Sequence, residues 1–311
     1  MNGSSYKPEG MNYGTSENRH DLYSVAALEK ARDSGRILEG VATVCTEEMA
    51  LRVDLGPIVG LIPKEEAVWT PEGESVKDIA VITRVGKPVC FKVLRIEQQG
   101  AKTVAILSRR LAQAECRNAY LASLIPGDVI DAKITHLEPF GAFADVGCGI
   151  VSLLPIDCIS VSRISHPSDR FYPGMEIKAV VKSIDYETGR LYLSQKELLG
   201  TWEENAAAFA IGQTVSGVVR SVESYGIFIE LAPNLAGLAE WKEGVFPGQI
   251  AAVYIKNIIP EKMKVKLVLV DCFSASDPVP PPSLSYFEHR THVDRWVYSP
   301  DCSGKLVETV F

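Results

Sequence analysis

Apolar and polar residues alternate along much of the chain in short bursts. In Val129-Ile130-Asp131-Ala132-Lys133-Ile134 the apolar positions 130, 132 and 134 fall on one face of an extended strand. Val215-Ser216-Gly217-Val218-Val219-Arg220 carries a looser form of the same pattern. Over the middle of the chain the alternation predicts five strands, at 129–137, 140–146, 149–154, 176–184 and 190–195, punctuated by Pro155, Pro167, Pro173 and Gly189. Five short strands in so compact a stretch suit a small Greek-key barrel, which pairs its own edges. The period becomes helical over 21–34, 109–123 and 195–209. In the last of these Leu199, Trp202, Ala206 and Phe209 share a face, and Thr201 with Glu204 has capping-box spacing.

The strand-rich stretch is written three times. Gly35, Gly127 and Gly212 open the copies, 92 and 85 residues apart, and Ser108 and Ser194 close the first two, 86 apart. Asp54-Leu55-Gly56 answers Asp145-Val146-Gly147, and Leu61-Ile62-Pro63 answers Leu153-Leu154-Pro155. The expected fold is mainly β: a tandem array of three five-stranded OB-type barrels joined by short helices. The expected boundaries are a flexible N-terminus and helix over 1–34, a worn barrel over 35–110, a linker helix over 111–124 and a barrel over 125–197. A second linker helix over 198–211, a third barrel over 212–271 and a Pro-rich spacer with a C-terminal hairpin over 272–311 complete the chain.

Two aromatic pairs stand out. Phe140 and Phe143 frame Gly141, and Tyr225 and Phe228 frame Gly226. Residues i and i+3 of a regular strand face opposite ways, so a bulge at the glycine is the expected device for bringing both rings to one face. Paired exposed rings make a platform for unpaired bases; the alternative is that they fill the barrel.

With the blocks around them, these residues carry a family resemblance. Pro-Phe-Gly-Ala-Phe at 139–143, Asp-Val-Gly at 145–147, Arg-Ile-Ser-His-Pro-Ser at 163–168, Ile184-Asp185, Gly189-Arg190 and Leu193-Ser194 resemble the S1-motif RNA-binding domain family. The resemblance runs over roughly 35–270 and implies S1-type OB barrels that hold single-stranded RNA on one face, with messenger RNA and the small ribosomal subunit as partners. By position it implies Phe140, Phe143, Asp185 and Arg190 as RNA-binding in the middle unit, and Tyr225 and Phe228 in the last. Arg163 and His166 sit in the connector between the third and fourth strands, where His166 either orders the loop or touches RNA.

The departures qualify this. The family's histidine after the third strand is replaced by Pro155 and Glu240. The last unit lacks the Asp/Arg hairpin and the connector; there Lys262, Lys264 and Lys266 are expected on one strand face, for phosphates or as edge protection. In the first unit the ring positions hold Met49 and Arg52, which points to docking on a neighbour or partner.

Composition shifts the picture only slightly. The chain has 311 residues and a net charge of −7, which speaks against a nucleic-acid partner only if the surface is uniform. Seven scattered cysteines without a C-x-x-C pair predict reduced, buried thiols, and no histidine spacing supports a metal or cofactor. No catalytic motif is present, so an enzyme is not expected. The first twenty residues lack an apolar signal core and no run approaches ~18 apolar residues, so a cytoplasmic chain without a membrane partner is expected. The C-terminal segment, with Trp296 and Phe311, reads as a hairpin folded onto a barrel or as an aromatic contact with RNA or the ribosome. A protein-interaction scaffold and an RNA-dependent regulator of transcription, translation or RNA decay are the alternative functions.

Overall fold

The computed structural model describes residues 6–56, 58–100, 102–274 and 284–311; the Pro-rich spacer around Asp277–Pro282 lies outside the described residues. Each repeat opens on a glycine with left-handed φ: 65° at Gly35, 94° at Gly127 and 89° at Gly212. An L side chain is strained there, which accounts for the repeated glycine. The amides of Gly127 and Gly212 then donate to Val181 and Ile255 of their own barrels, at 2.8 and 2.9 Å.

The strands that follow are β1 (Leu38–Cys45), β2 (Leu51–Asp54), β3 (Val59–Ile62), β4 (Pro88–Gln99) and β5 (Lys102–Ser108). The middle unit has β6 (Val129–Glu138), β7 (Gly141–Asp145), β8 (Val151–Pro155), β9 (Glu176–Asp185) and β10 (Arg190–Ser194). The last has β11 (Thr214–Glu223), β12 (Gly226–Ala232), β13 (Leu235–Ala239), β14 (Ile250–Ile259) and β15 (Lys264–Phe273). All three sheets close with one order, 1-2-3-5-4 within the unit. In each the third and fifth strands run parallel, seen at Gly60↔Ala105, Tyr192↔Leu153 and Leu238↔Lys266. The repeated Asp-x-Gly is a shared turn: the Gly56 amide donates to Asp54 Oδ1 at 2.9 Å and the Gly147 amide to Asp145 Oδ1 at 2.8 Å.

The chain divides into two compact units, one of 1–124 with 131–133 and 145–151, the other of 125–130, 134–144 and 152–311. In the first, Leu38, Leu51, Ile62, Phe91 and Leu107 fill the barrel and Leu28 closes over them. The residues before the barrel depart from the expected flexible terminus. Glu9 is buried, donates its amide to Asp145 Oδ2 at 2.7 Å, and pairs with the buried Arg109 guanidinium at 2.6 and 3.0 Å. Burial pushes the Glu9 carboxyl up, but Arg109 overrides it and holds the group below its ordinary value. Burial raises the nearby Glu39 carboxyl to about 7, although the amides of Gly10, Asn12 and Tyr13 all donate to it.

In the second unit the third barrel's core, with Val219, Ile227, Ile229, Val253 and Leu267, extends to Trp202, Trp296 and Tyr298. The C-terminal hairpin, β16 (Arg295–Val297) with β17 (Glu308–Val310), thus folds onto that barrel. Arg170, wholly buried, donates to Glu230 Oε2 at 2.6 Å; Arg220 donates to the same carboxylate at 2.8 Å and pairs with Asp169 at 3.2 Å. Asn234, also buried, accepts from the Val161 amide and donates to the carbonyls of Lys196 and Gly200, at 2.9, 2.8 and 2.8 Å.

The helical stretches are more broken than their periodicity predicts. The first is two helices, Ser16–Leu22 and Val25–Asp33, because the Ser24 hydroxyl accepts from the Ala27 amide and caps a new start. Helix Arg109–Glu115 widens into a π turn over Cys116–Tyr120 and tightens over Leu121–Ser123. The last stretch is interrupted at Gly200, and the Thr201–Glu204 capping box begins Trp202–Ala206.

Two predictions arise from the buried charges. Arg170→Ala leaves the buried Glu230 carboxylate with Arg220 alone and empties a wholly buried site, and should cost about 2–4 kcal/mol in urea unfolding; a cost below about 1 kcal/mol would contradict the assignment. Glu39, whose folded pKa lies above its ordinary 4.5, contributes stability present at pH 4.5 and below that is lost as pH rises through about 7. Thermal unfolding of Glu39→Gln should therefore gain on the wild type between about pH 5 and pH 8. A constant difference would sink this reading.

Candidate nucleic-acid interface

Both aromatic pairs reach one face, by a route other than the expected bulge. Glu223 pairs with Gly226, so Ser224 and Tyr225 form a two-residue hairpin loop and the strand begins at the glycine. A loop residue is free of strand alternation. The irregularity in this ladder lies instead on β11, between Val219 and Ser221. In the middle barrel Phe140 likewise stands in the turn before β7, its carbonyl accepting from the Ile156 amide at 3.0 Å. The glycine between each pair serves close approach: a Cβ on Gly141 would lie 2.5 Å from Leu154 O, and one on Gly226 2.6 Å from Ala239 O.

The outcome is the same in two barrels. The Phe140 and Phe143 ring centroids are 6.0 Å apart at 90°, and those of Tyr225 and Phe228 are 6.0 Å apart at 86°. Phe140 is 55% exposed and Tyr225 69%, while Phe143 and Phe228 are half-buried. This fixes an upright ring against a supporting one, with the outer ring open for stacking. His136 extends the middle platform, its ring 6.2 Å from Phe143 at 28°, with Nε2 2.6 Å from Glu138 Oε1. Tyr192, two residues after Arg190 and 37% exposed, pairs with Leu153 on the same outward face. Sequence reasoning passed over His136 and Tyr192. The alternation of Arg190, buried Leu191 and Tyr192 was the available signal.

In the third barrel one register row runs Ser221↔Phe228↔Leu238↔Lys266. Lys264 and Lys266 are exposed and alternate with buried Val265 and Leu267. Lys262 does not join them. It ends the short helical turn Pro260–Lys262, and Met263, at φ 48°, turns the backbone before β15 begins. The three-lysine strand face is thus a pair on the strand and one lysine on the turn.

The remaining residues divide between shaping and exposure. Asp185 pairs across the hairpin with Arg190, and its carboxylate accepts from the amides of Glu187 and Thr188 and from the Thr188 hydroxyl, at 3.0, 3.2 and 2.6 Å. Those bonds, led by the hydroxyl, hold its pKa below the ordinary value. Asp185 therefore shapes the turn that presents exposed Arg190. His166 caps the turn Pro167–Asp169, its Nδ1 accepting from the Ser168 amide at 3.1 Å, which supports the loop-ordering role. In the first barrel the row is Val44↔Arg52↔Leu61↔Ile106, without a ring, and Met49 lies half-buried at φ 63°. A cleft of about 610 Å³ runs there past Arg52, Leu61 and Lys102. All seven cysteines are free, and Cys90, Cys116, Cys148 and Cys158 are buried.

Comparison with known proteins places the chain in a family. The model of the S1 RNA binding domain matches residues 33–110 and 123–196. The first unit, expected to be worn, is matched, and the last falls outside the matched residues. The first keeps the Asp-x-Gly turn, whereas the last lacks the connector that follows the third strand. Small ribosomal subunit protein bS1 of Rhizobium meliloti (strain 1021) is 28% identical over 259 residues, 78% of this chain and 44% of that protein. The protein of that name from Rhodopseudomonas palustris is 29% identical over 230 residues, 70% and 38% of the two chains. The chain thus spans less than half the length of these two relatives. The bS1 protein of Staphylococcus aureus (strain COL) is 30% identical over 286 residues, which cover 86% of this chain and 70% of that one. Matched so extensively by the last of these, the chain belongs to the family of small ribosomal subunit protein bS1.

Proposed function

We propose that the protein binds single-stranded RNA and holds it unfolded during translation, as messenger RNA at the small ribosomal subunit. The observation that carries this is the aromatic pair made twice, at the same 6.0 Å separation and near-perpendicular angle, on the outward face of two barrels. A core pair would have no reason to leave the outer ring more than half exposed. On this reading Phe140 and Tyr225 stack on bases, Phe143 and Phe228 support them, and Arg190, Lys264 and Lys266 meet phosphates. His136 and Tyr192 widen the middle platform, and Asp185 and His166 act by shaping loops. Unpaired strands are favoured over duplex, whose bases are not free to stack. The relatives' name supports the ribosomal setting and, with it, the cytoplasm.

All three sheets are read as S1-type OB barrels, the third on its identical strand order. The ringless row of the first barrel favours docking to a ribosomal or other protein surface over RNA contact. The role is binding and not catalysis.

Fluorescence anisotropy with a labelled decauridylate tests the reading. Phe140→Ala with Phe143→Ala should weaken binding by at least ~1 kcal/mol, with circular dichroism unchanged. Unaltered affinity in a folded variant would return the rings to a packing role. Binding by the wild type should also fall with salt, log K against log[salt] having a slope of about −0.7 per phosphate contacted. A flat salt response would favour a docking scaffold.

A further inference from the structure

The connector of the middle barrel reaches the platform of the third. Val161 donates its amide to Asn234 Oδ1 at 2.9 Å and Ser162 donates to Pro233 O at 3.2 Å. The next residues, Arg163, Ile164 and Ser165, then form one wall of a cleft of about 500 Å³ whose other wall holds Ser221, Tyr225 and Phe228. Two arginines border this cleft, with different roles. Arg220 is committed to Glu230 and Asp169, whereas Arg163 is exposed and has no ion-pair partner among the described residues. Glu223, also exposed, lines the same cleft.

We propose that this cleft is a composite site for a short segment of single-stranded RNA, built from two repeats. The base lies on Tyr225 and Phe228, and the Arg163 guanidinium, from the preceding repeat, holds the adjoining phosphate. The volume falls within the range of small-ligand clefts, and the cleft offers a stacking surface beside the Arg163 guanidinium, groups a nucleotide needs; the Ser162 and Ser165 hydroxyls donate to Ala232 O and Asp169. Glu223 opposes the phosphate, so the net attraction depends on Arg163. The proposal rests on the single-stranded RNA reading above and adds that the connector completes the next repeat's site. The third repeat lacks a connector of this kind, with only residues 240–249 between β13 and β14 where the middle repeat has 156–175 between β8 and β9.

The test is a mutant cycle on the full-length chain, read by anisotropy with fluorescein-labelled decauridylate. Arg163→Ala should weaken binding about threefold to tenfold and reduce the salt slope by about 0.7, while Glu223→Gln should strengthen binding. The Arg163→Ala loss should persist when Phe140 and Phe143 are both changed to Ala, and shrink to near nothing when Tyr225 and Phe228 are. Persistence in the second background, or disappearance in the first, would assign Arg163 elsewhere and overturn the composite site. No effect of Arg163→Ala, with the Phe140/Phe143 variant still weakened, would overturn it and leave RNA binding standing. Absence of wild-type binding would overturn both.

Discussion

A buried carboxylate shared between a wholly buried arginine and a partly buried one governs what the second unit can do. Glu230 accepts from both Arg170 and Arg220, and Arg220 returns to Asp169, so the middle barrel's connector and the third barrel's second strand share one neutralised cluster. Burial alone would depress the Arg170 pKa and disfavour its charge, an effect Glu230 opposes. Such a cluster adds little net stability over an apolar contact, yet breaking it is expensive, so it acts chiefly by penalising other arrangements. Asn234 does the same with neutral groups: its side chain meets Val161, Lys196 and Gly200 while its carbonyl accepts from the Tyr298 hydroxyl at 2.6 Å. A platform whose second wall comes from another repeat can be preorganised only if the connector is held in this way.

The rings add a second, local constraint. Each outer ring stands on a turn because a glycine lets the next strand approach a neighbouring carbonyl to within 2.5–2.6 Å of where a Cβ would be. The net charge of −7 is compatible with RNA because Arg190, Lys264, Lys266 and Arg163 are placed beside rings, and stacking carries no charge requirement. The acidic surplus leaves Glu223 opposing a phosphate and makes the interface more dependent on aromatic contact than on counterion release.

Much of this was legible in the chain. The Asp-x-Gly turn and the Thr201–Glu204 box each act within four residues, the opening glycines act first through their own left-handed φ, and all stand where their spacing places them. The strands also follow the alternation closely. What escaped was long-range or lay at element ends. Glu9 finds Arg109 100 residues away and Arg170 finds Glu230 60 away, and no local pattern marks either pair. The segment before the first barrel was therefore misread as flexible. Lys262 was misplaced because a short turn precedes the strand, and the bulge was inferred where a hairpin loop does the work. Asp185 and His166 have the right chemistry for RNA, and each also orders its own loop, Asp185 through the amides of Glu187 and Thr188 and the Thr188 hydroxyl, His166 through Nδ1 and the Ser168 amide.

The central claim is that RNA lies on the ring faces of the middle and third barrels and avoids the ringless first. Ultraviolet crosslinking of the full-length chain to a 4-thiouridine-substituted decauridylate, mapped by mass spectrometry, tests it most directly. Adducts are expected on peptides containing Phe140 and Phe143 and on those containing Tyr225 and Phe228, with none on the peptide holding Met49 and Arg52. Adducts concentrated on Met49 and Arg52, with the ring peptides unmodified, would contradict it.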